Sequence, residues 1–249
     1  REDENRTYVH PVAAGAHHLV ADGVLDPAGR DADWMIDYLE DVQFLRTKWI
    51  RDPAKADPFD WGGFAKMQPY YCRIADIHAA RDDVKPFIRS YFNAIPALVN
   101  FEDMTFWEDM LGDRWASGAW NKTHETGWFL AQTRTMLVDE RGDELWLAPF
   151  VTSNWLKDGM KVSVRNAPTR FGTVSYSIAS KVAAGAIEAV VELPEKCTAK
   201  KVVLRLRHPQ GRPIRAVTVQ GRSHEDFDPK RETITLEPSG KSIAIRAEY

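Results

Sequence analysis

The run Lys201-Val202-Val203-Leu204-Arg205-Leu206-Arg207 sends Val202, Leu204 and Leu206 to one side of an extended chain and Val203, Arg205 and Arg207 to the other. A helix would scatter these residues around its circumference, whereas a period of two is that of a strand with one face on a core. The same character extends in both directions. Upstream, 162–164, 173–179 and 187–193 are short β-branched or aliphatic runs. Downstream, 214–219, 233–236 and 242–247 repeat the pattern, with Ile243 and Ile245 alternating with Ser242, Ala244 and Arg246. Gly, Pro and Asp punctuate the gaps, so residues 151–249 are expected to form an antiparallel β-sandwich.

Upstream of Arg141-Gly142-Asp143 the period changes. Residues 8–24 are crowded with small apolar side chains and stop at Gly23 and Asp26-Pro27, as a helix buried on more than one side does. From Asp31 or Asp33 to about Lys48, Trp34, Tyr38 and Leu45 join Met35, Leu39 and Val42 in an apolar stripe at helical spacing. A loop with two prolines and paired glycines, 51–63, leads to a third helix ending near Ala80. Asp82 and Asp83 before Pro86 open a fourth, with Phe87, Tyr91, Ile95 and Leu98 along one face and Pro96 set to kink or end it. After a long loop, 100–122, a fifth helix spans about 123–138, with Trp128, Phe129, Met136 and Leu137 as buried candidates. Connections are short after the first and third helices and long after the second and fourth, the rhythm of helical hairpins whose long loops gather on one rim. The fold class is therefore α+β and multidomain: helical hairpins over 1–150, then the sandwich over 151–249.

Of 249 residues, 44% are hydrophobic and 28% charged, which allows a sizeable core. No apolar run reaches the roughly 18 to 20 residues of a membrane span, and Arg1-Glu2-Asp3-Glu4 is unlike a signal peptide, so no membrane partner is expected. The absence of an initiator Met leads to the expectation that the chain continues upstream. The net charge of −3 divides unevenly, with 16 Lys and Arg against 26 Asp and Glu in 1–150, and 17 against 10 in 151–249. Docking of oppositely charged domains explains this better than attraction of an anionic polymer. Nucleic acid is not an expected partner either, because of the nine Trp only Trp155 falls in the basic half, which leaves few platforms for stacked bases. Cys72 and Cys197 fall one in each half, where isolated buried thiols account for them more readily than a bridge. Zinc-type Cys/His spacings, HExxH, GxSxG, the P-loop and the dinucleotide glycine fingerprint are all absent, so neither metal nor cofactor is expected.

Residues 100–129 gather Phe101, Phe106, Trp107, Trp115 and Trp120 with six carboxylates and His124. Flat rings cover the C–H faces of a sugar, while carboxylates and imidazole serve its hydroxyls. Hydrolysis of a glycoside needs two carboxyl groups, about 5 to 5.5 Å apart for retention or roughly 6.5 to 9.5 Å for inversion. One must stay protonated near neutrality, and burial among Trp rings raises such a pKa. Glu108, in mid-loop between aromatics, and Glu125, in the first turn of the fifth helix, are the two candidates. Glu125 serves its helix dipole equally well in that place, and His124 has the same two readings. Trp61, Gln68 and Tyr70 would reach the same rim, although core packing explains the aromatics as readily. Glu102 and Asp103 read as solvated surface.

Gln68-Pro69-Tyr70, Tyr91-Phe92-Asn93-Ala94, Thr105-Phe106-Trp107-Glu108, Lys122-Thr123-His124-Glu125-Thr126-Gly127-Trp128-Phe129, Leu145-Trp146-Leu147-Ala148-Pro149 and Trp155-Leu156-Lys157-Asp158-Gly159 carry a resemblance. Together they resemble the C-terminal third of bacterial six-hairpin, or (α/α)6-toroid, glycoside hydrolases that finish in a β-sandwich. The likeness runs through about residues 8–180 and rests on ordering more than on any single motif. It implies that this chain supplies five of the toroid's twelve helices, the remainder lying in a preceding region or on another chain. It also implies an active site at the rim of the inner helices. On that implication Glu108 and Glu125 are the catalytic carboxylates, and Trp61, Gln68, Tyr70, Trp107, Trp120 and His124 bind a carbohydrate substrate. Asn121 and Thr126 depart from the pattern, standing where relatives lead one to expect His and a second acid. Two other functions compete: a toroid-type lyase acting on a uronic-acid polymer, and a sugar-binding or scaffold protein without a working acid pair. The sequence leaves the compartment open.

Overall fold

A computed structural model describes residues 15, 17–38, 73–107, 109–111, 115–117, 121–238 and 242–249. The described chain is mixed α+β and divides into two compact units, Arg1–Thr133 and Arg134–Tyr249. None of the described helices is long and apolar enough to cross a membrane.

The described residues of the first unit are mainly helical. Its first helical turns, over 17–21, close on Gly23, whose N–H reaches the Val20 carbonyl while Val24 N–H reaches that of Leu19. This paired reversal needs a left-handed residue, and Gly23 supplies it at φ 73°. Helix α1, Arg30–Tyr38, follows. It buries Ala32 with Val20 and Ile77, and Met35 and Ile36 pack on that cluster. Trp34, expected in the buried stripe, is instead 57% exposed, with the Arg30 guanidinium 4.4 Å above its ring. The small residue at position 32 sets the contact face, and Trp34 lies two positions on, away from it.

Helices α2, Ile74–Ala80, and α3, Val84–Leu98, form a hairpin joined by 81–83. Arg81 fastens the turn by donating to Asp83, to Asp33 and to the Pro27 carbonyl. Asp83 occupies the N-cap position of α3 as expected, but its carboxylate is taken by Arg81 and His78, so it makes no capping bond. Phe87, Tyr91 and Leu98 are buried along one face of α3, and Pro96 lies two residues before the end of that helix. The stretch expected as one long loop holds two small hairpins, β1 (Val99–Asn100) with β2 (Thr105–Phe106) and β3 (Asp109–Leu111) with β4 (Trp115–Ser117). Local side-chain chemistry folds the first: Asn100 accepts from Glu102 N–H, and Asp103 accepts from both the N–H and the hydroxyl of Thr105. Helix α4, Thr123–Leu137, completes the helical part.

The second unit is a sandwich of two sheets. Residues 138–147, read from the sequence as the tail of the helical region, form a hairpin of β5 (Val138–Arg141) and β6 (Glu144–Leu147). The larger sheet contains β7 (Lys161–Thr169), β8 (Gly172–Lys181), β9 (Ala186–Glu192), β11 (Ala216–Val219), β12 (Arg222–His224) and β15 (Ser242–Glu248), in the order β12-β11-β15-β9-β8-β7. The smaller adds β10 (Lys201–Arg205), β13 (Phe227–Asp228) and β14 (Thr233–Leu236) to the hairpin, in the order β13-β14-β10-β6-β5.

One pair departs from the antiparallel expectation: β10 runs parallel to β6, because the chain leaves β6 to build three strands of the other sheet before it returns. The alternations seen in the sequence set the core. Val202, Leu204 and Leu206 meet Ile187, Ala189, Val191, Ile243 and Ile245 between the sheets. The other face of β10 is covered as well, since Arg205 is 1% exposed, donating to the Pro149 and Arg231 carbonyls. Pro168 falls in β7, an edge strand where a missing N–H costs no ladder bond.

Candidate functional site

The start of α4 holds two of the residues singled out in the sequence, His124 and Glu125. Trp107 N–H donates to the Leu98 carbonyl at the end of α3, and Lys122 N–H donates to the Phe106 carbonyl. Phe106 and Trp107 are thereby tied to both helices, and the half-buried Trp107 lies at the junction. Behind them runs a column of rings: Phe106 to Phe129 at 4.8 Å, Phe129 stacked on Tyr91 at 4.6 Å, and Tyr91 stacked on Phe87 at 6.2 Å. Thr133 gives its hydroxyl proton to the Phe129 carbonyl, so the Tyr91 hydroxyl, 2.7 Å away, donates to Thr133. Burial pushes the Tyr91 pKa up and keeps the phenol protonated.

Three residues of α4 are fully withdrawn from solvent, Glu125, Gln132 and Met136. They stand seven and four positions apart, on one face of the helix. A carboxylate serving only the helix dipole would stay in water at the first turn. Glu125 is instead 0% exposed, and its Oε1 lies 3.6 Å from Nε2 of His124, an ion-pair distance when the imidazole is protonated. Taking a carboxyl group out of water costs several kcal/mol per ion unless it is paired, on the order of magnitude usual for buried charges, or unless it keeps its proton.

Two turns along the same face, a second, half-buried carboxyl group is engaged. Gln132 hydrogen-bonds Asp76 of α2, and Arg73 Nε donates to Asp76 at 3.0 Å. Burial pushes the Asp76 pKa up against the lowering pull of Arg73 and Gln132. Arg73 itself is buried, donates to Asp22 at 2.5 Å, approaches His18 Nδ1 at 3.5 Å, and lies 3.9 Å from the centre of the Trp128 ring. It holds φ 46°, a left-handed conformation uncommon for a side chain with a Cβ, at the entry to α2. Of the neighbouring imidazoles, His17 is fully buried and His18 half-buried.

No protein-family model matches the chain, and no curated protein matches it. Among solved structures it is similar to a glycoside hydrolase at 10% identity and TM-score 0.35, over 72% of this chain and 30% of that one. It is also similar to a family 31 dextranase variant of Flavobacterium johnsoniae complexed with isomaltotriose, at 13% identity and TM-score 0.27, over 43% of this chain and 16% of that one. The chain thus spans less than a third of the length of either neighbour.

Of the residues singled out in the sequence, Glu125 and His124 lie together in the first turn of α4, while Trp107 is bonded through its backbone N–H to Leu98 at the end of α3. Glu108, Trp61, Gln68, Tyr70 and Trp120 lie outside the described residues. Asp76, Arg73 and Gln132 were not anticipated. A usable signal existed in Arg73-Ile74-Ala75-Asp76, whose ends face each other one helical turn apart, and in Gln132, a heptad after Glu125. Among the described residues no group of three or more His, Cys, Asp or Glu side chains is arranged to hold a metal ion, and Cys197 is a free, half-buried thiol.

Proposed function

We propose that this chain is the C-terminal portion of a toroid-type glycoside hydrolase, and that it cleaves a glycosidic bond in an oligo- or polysaccharide with two carboxyl groups, Glu125 and Glu108. The observation that carries this reading is the full burial of the Glu125 carboxyl beside His124, on a helix face whose next polar residue, Gln132, reaches the half-buried carboxyl group of Asp76. A site of this kind keeps one acid protonated and one ionised at the same pH. The acid gives its proton to the leaving glycosidic oxygen; the partner carboxylate attacks the anomeric carbon or deprotonates a water that does so. His124 sets the charge next to Glu125, and Trp107 with Trp61, Tyr70, Trp120 and Gln68 would form the sugar-binding rim. Asp76 is held on both sides by Arg73 and Gln132, so it orients the Trp128 ring through Arg73 rather than reacting.

Toroid closure needs the remaining helices, from an upstream region or another chain, so the reading calls for assays on the native, longer protein. Release of reducing ends from a panel of oligosaccharides with no unsaturated product supports hydrolysis. A product absorbing near about 235 nm marks an unsaturated uronate and would replace hydrolysis by β-elimination. Tight sugar binding with neither product would leave a carbohydrate-binding scaffold.

A further inference from the structure

At one end of the sandwich, three turns border a half-open cavity of about 560 Å³. Lys157 and Asp158 follow the 3-10 turn Ser153–Leu156, Val182 and Ala183 come from the turn between β8 and β9, and His208 and Arg212 lie on the segment between β10 and β11. A volume of this size falls within the roughly 300 to 1,000 Å³ of small-molecule sites.

Its polar groups are set out for an organic anion. Among the described residues neither Lys157 Nζ nor the Arg212 guanidinium has a carboxylate or other hydrogen-bond partner, although both line the cavity. Asp158 uses Oδ1 to accept from Ala183 N–H at 2.9 Å, leaving its second oxygen for a ligand donor. His208 is 3% exposed, and its Nδ1 accepts from Gln210 N–H at 3.1 Å, so the ring proton resides on Nε2. Its ring is braced at 5.0 Å by Tyr249, whose hydroxyl donates to the Leu206 carbonyl. Burial, with Arg212 nearby, pushes the His208 pKa down and keeps the imidazole a neutral donor near pH 7. Val182, Ala183 and Pro209 add an apolar wall.

We propose that this cavity binds a sugar acid of uronate size, its carboxylate between Lys157 and Arg212 and its hydroxyls donating to Asp158 and accepting from His208. A bare dianion fits the arrangement poorly, since Asp158 would repel it and most of the volume would stay empty. A nucleobase finds no Phe, Tyr or Trp in the lining to stack on. The assignment is independent of the chemistry at Glu125.

Calorimetric titration of the 249-residue chain with glucuronate, glucose and sodium sulfate tests it. Glucuronate is expected to bind with Kd of about 1 mM or tighter, and glucose and sulfate at least about tenfold more weakly. The double variant Lys157→Ala, Arg212→Ala should lose about tenfold or more in glucuronate affinity with an unchanged melting temperature, both side chains being exposed. Asp158→Asn should narrow the margin over sulfate, and Glu125→Gln should leave glucuronate binding as it was. Equal binding of glucose would show that no carboxylate is read, and equal binding of sulfate would reduce the cavity to a plain anion site. Full glucuronate affinity in the double variant would place the ligand elsewhere. Each of these three results overturns the proposal.

Discussion

Asp76 shows how one half-buried carboxyl group shapes the stability of its surroundings. Its pKa in the folded chain is raised by burial, so between the ordinary carboxylate value and the raised one the folded state holds a proton that the unfolded state has released. Stability from this group is therefore fully present below the ordinary value and is lost as pH rises through the raised one. Wild type is expected to lose stability relative to Asp76→Asn across that window, and urea unfolding of both proteins at a series of pH values checks the sign. Glu125 was legible as a candidate from its place after His124, but its burial was not. A first-turn acid in solvent and a first-turn acid in a site have the same sequence neighbours, and the difference lies in what α4 packs against. Spacing put Asp76 one turn after Arg73 and Gln132 a heptad after Glu125, but the bond that joins Asp76 to Gln132 runs between two helices, a pairing that spacing within either helix does not specify.

The helices and strands carry their own tests. Tyr91 links α3 to α4 through Thr133, so Tyr91→Phe should cost about 1 kcal/mol of stability, measured by denaturant unfolding, while the ring column stays in place. At the β7 to β8 turn Gly172 holds φ 107°, and a Cβ there would stand 2.6 Å from Cγ of Pro194. Gly172→Ala should therefore destabilise the sandwich by roughly 1 to 3 kcal/mol, read as a lowered urea midpoint. Strand positions such as 233–236 were legible because alternation is a local property, as was the start of α4 at Thr123. The β5/β6 hairpin was not. Leu145, Trp146 and Leu147 form a continuous buried run, since β6 is covered on both faces, and such a run lacks the two-residue period. The parallel pairing of β6 with β10 was equally out of reach, because it depends on where the chain goes between them.

At the scale of the whole molecule, Arg134–Tyr249 forms a unit with its own core between two sheets. Expressed alone it should fold, giving a cooperative thermal transition and a β-type circular dichroism spectrum; a fragment without either would show that its core depends on the helical part. The composition made a core legible, and the split of charge along the chain set an acidic part before a basic one. What a toroid would add is an enclosing ring of helices, and a ring is not a property of five helices read singly. Whether the buried Glu125 carboxyl does chemistry decides the proposed function, and the kinetics of Glu125→Gln in the native protein are the sharpest test of it. A fall in turnover of about a hundredfold or more on a cleaved oligosaccharide is expected, with KM and melting temperature nearly unchanged. Wild-type turnover in a folded Glu125→Gln protein would contradict it and return Glu125 to the role of a buried structural acid.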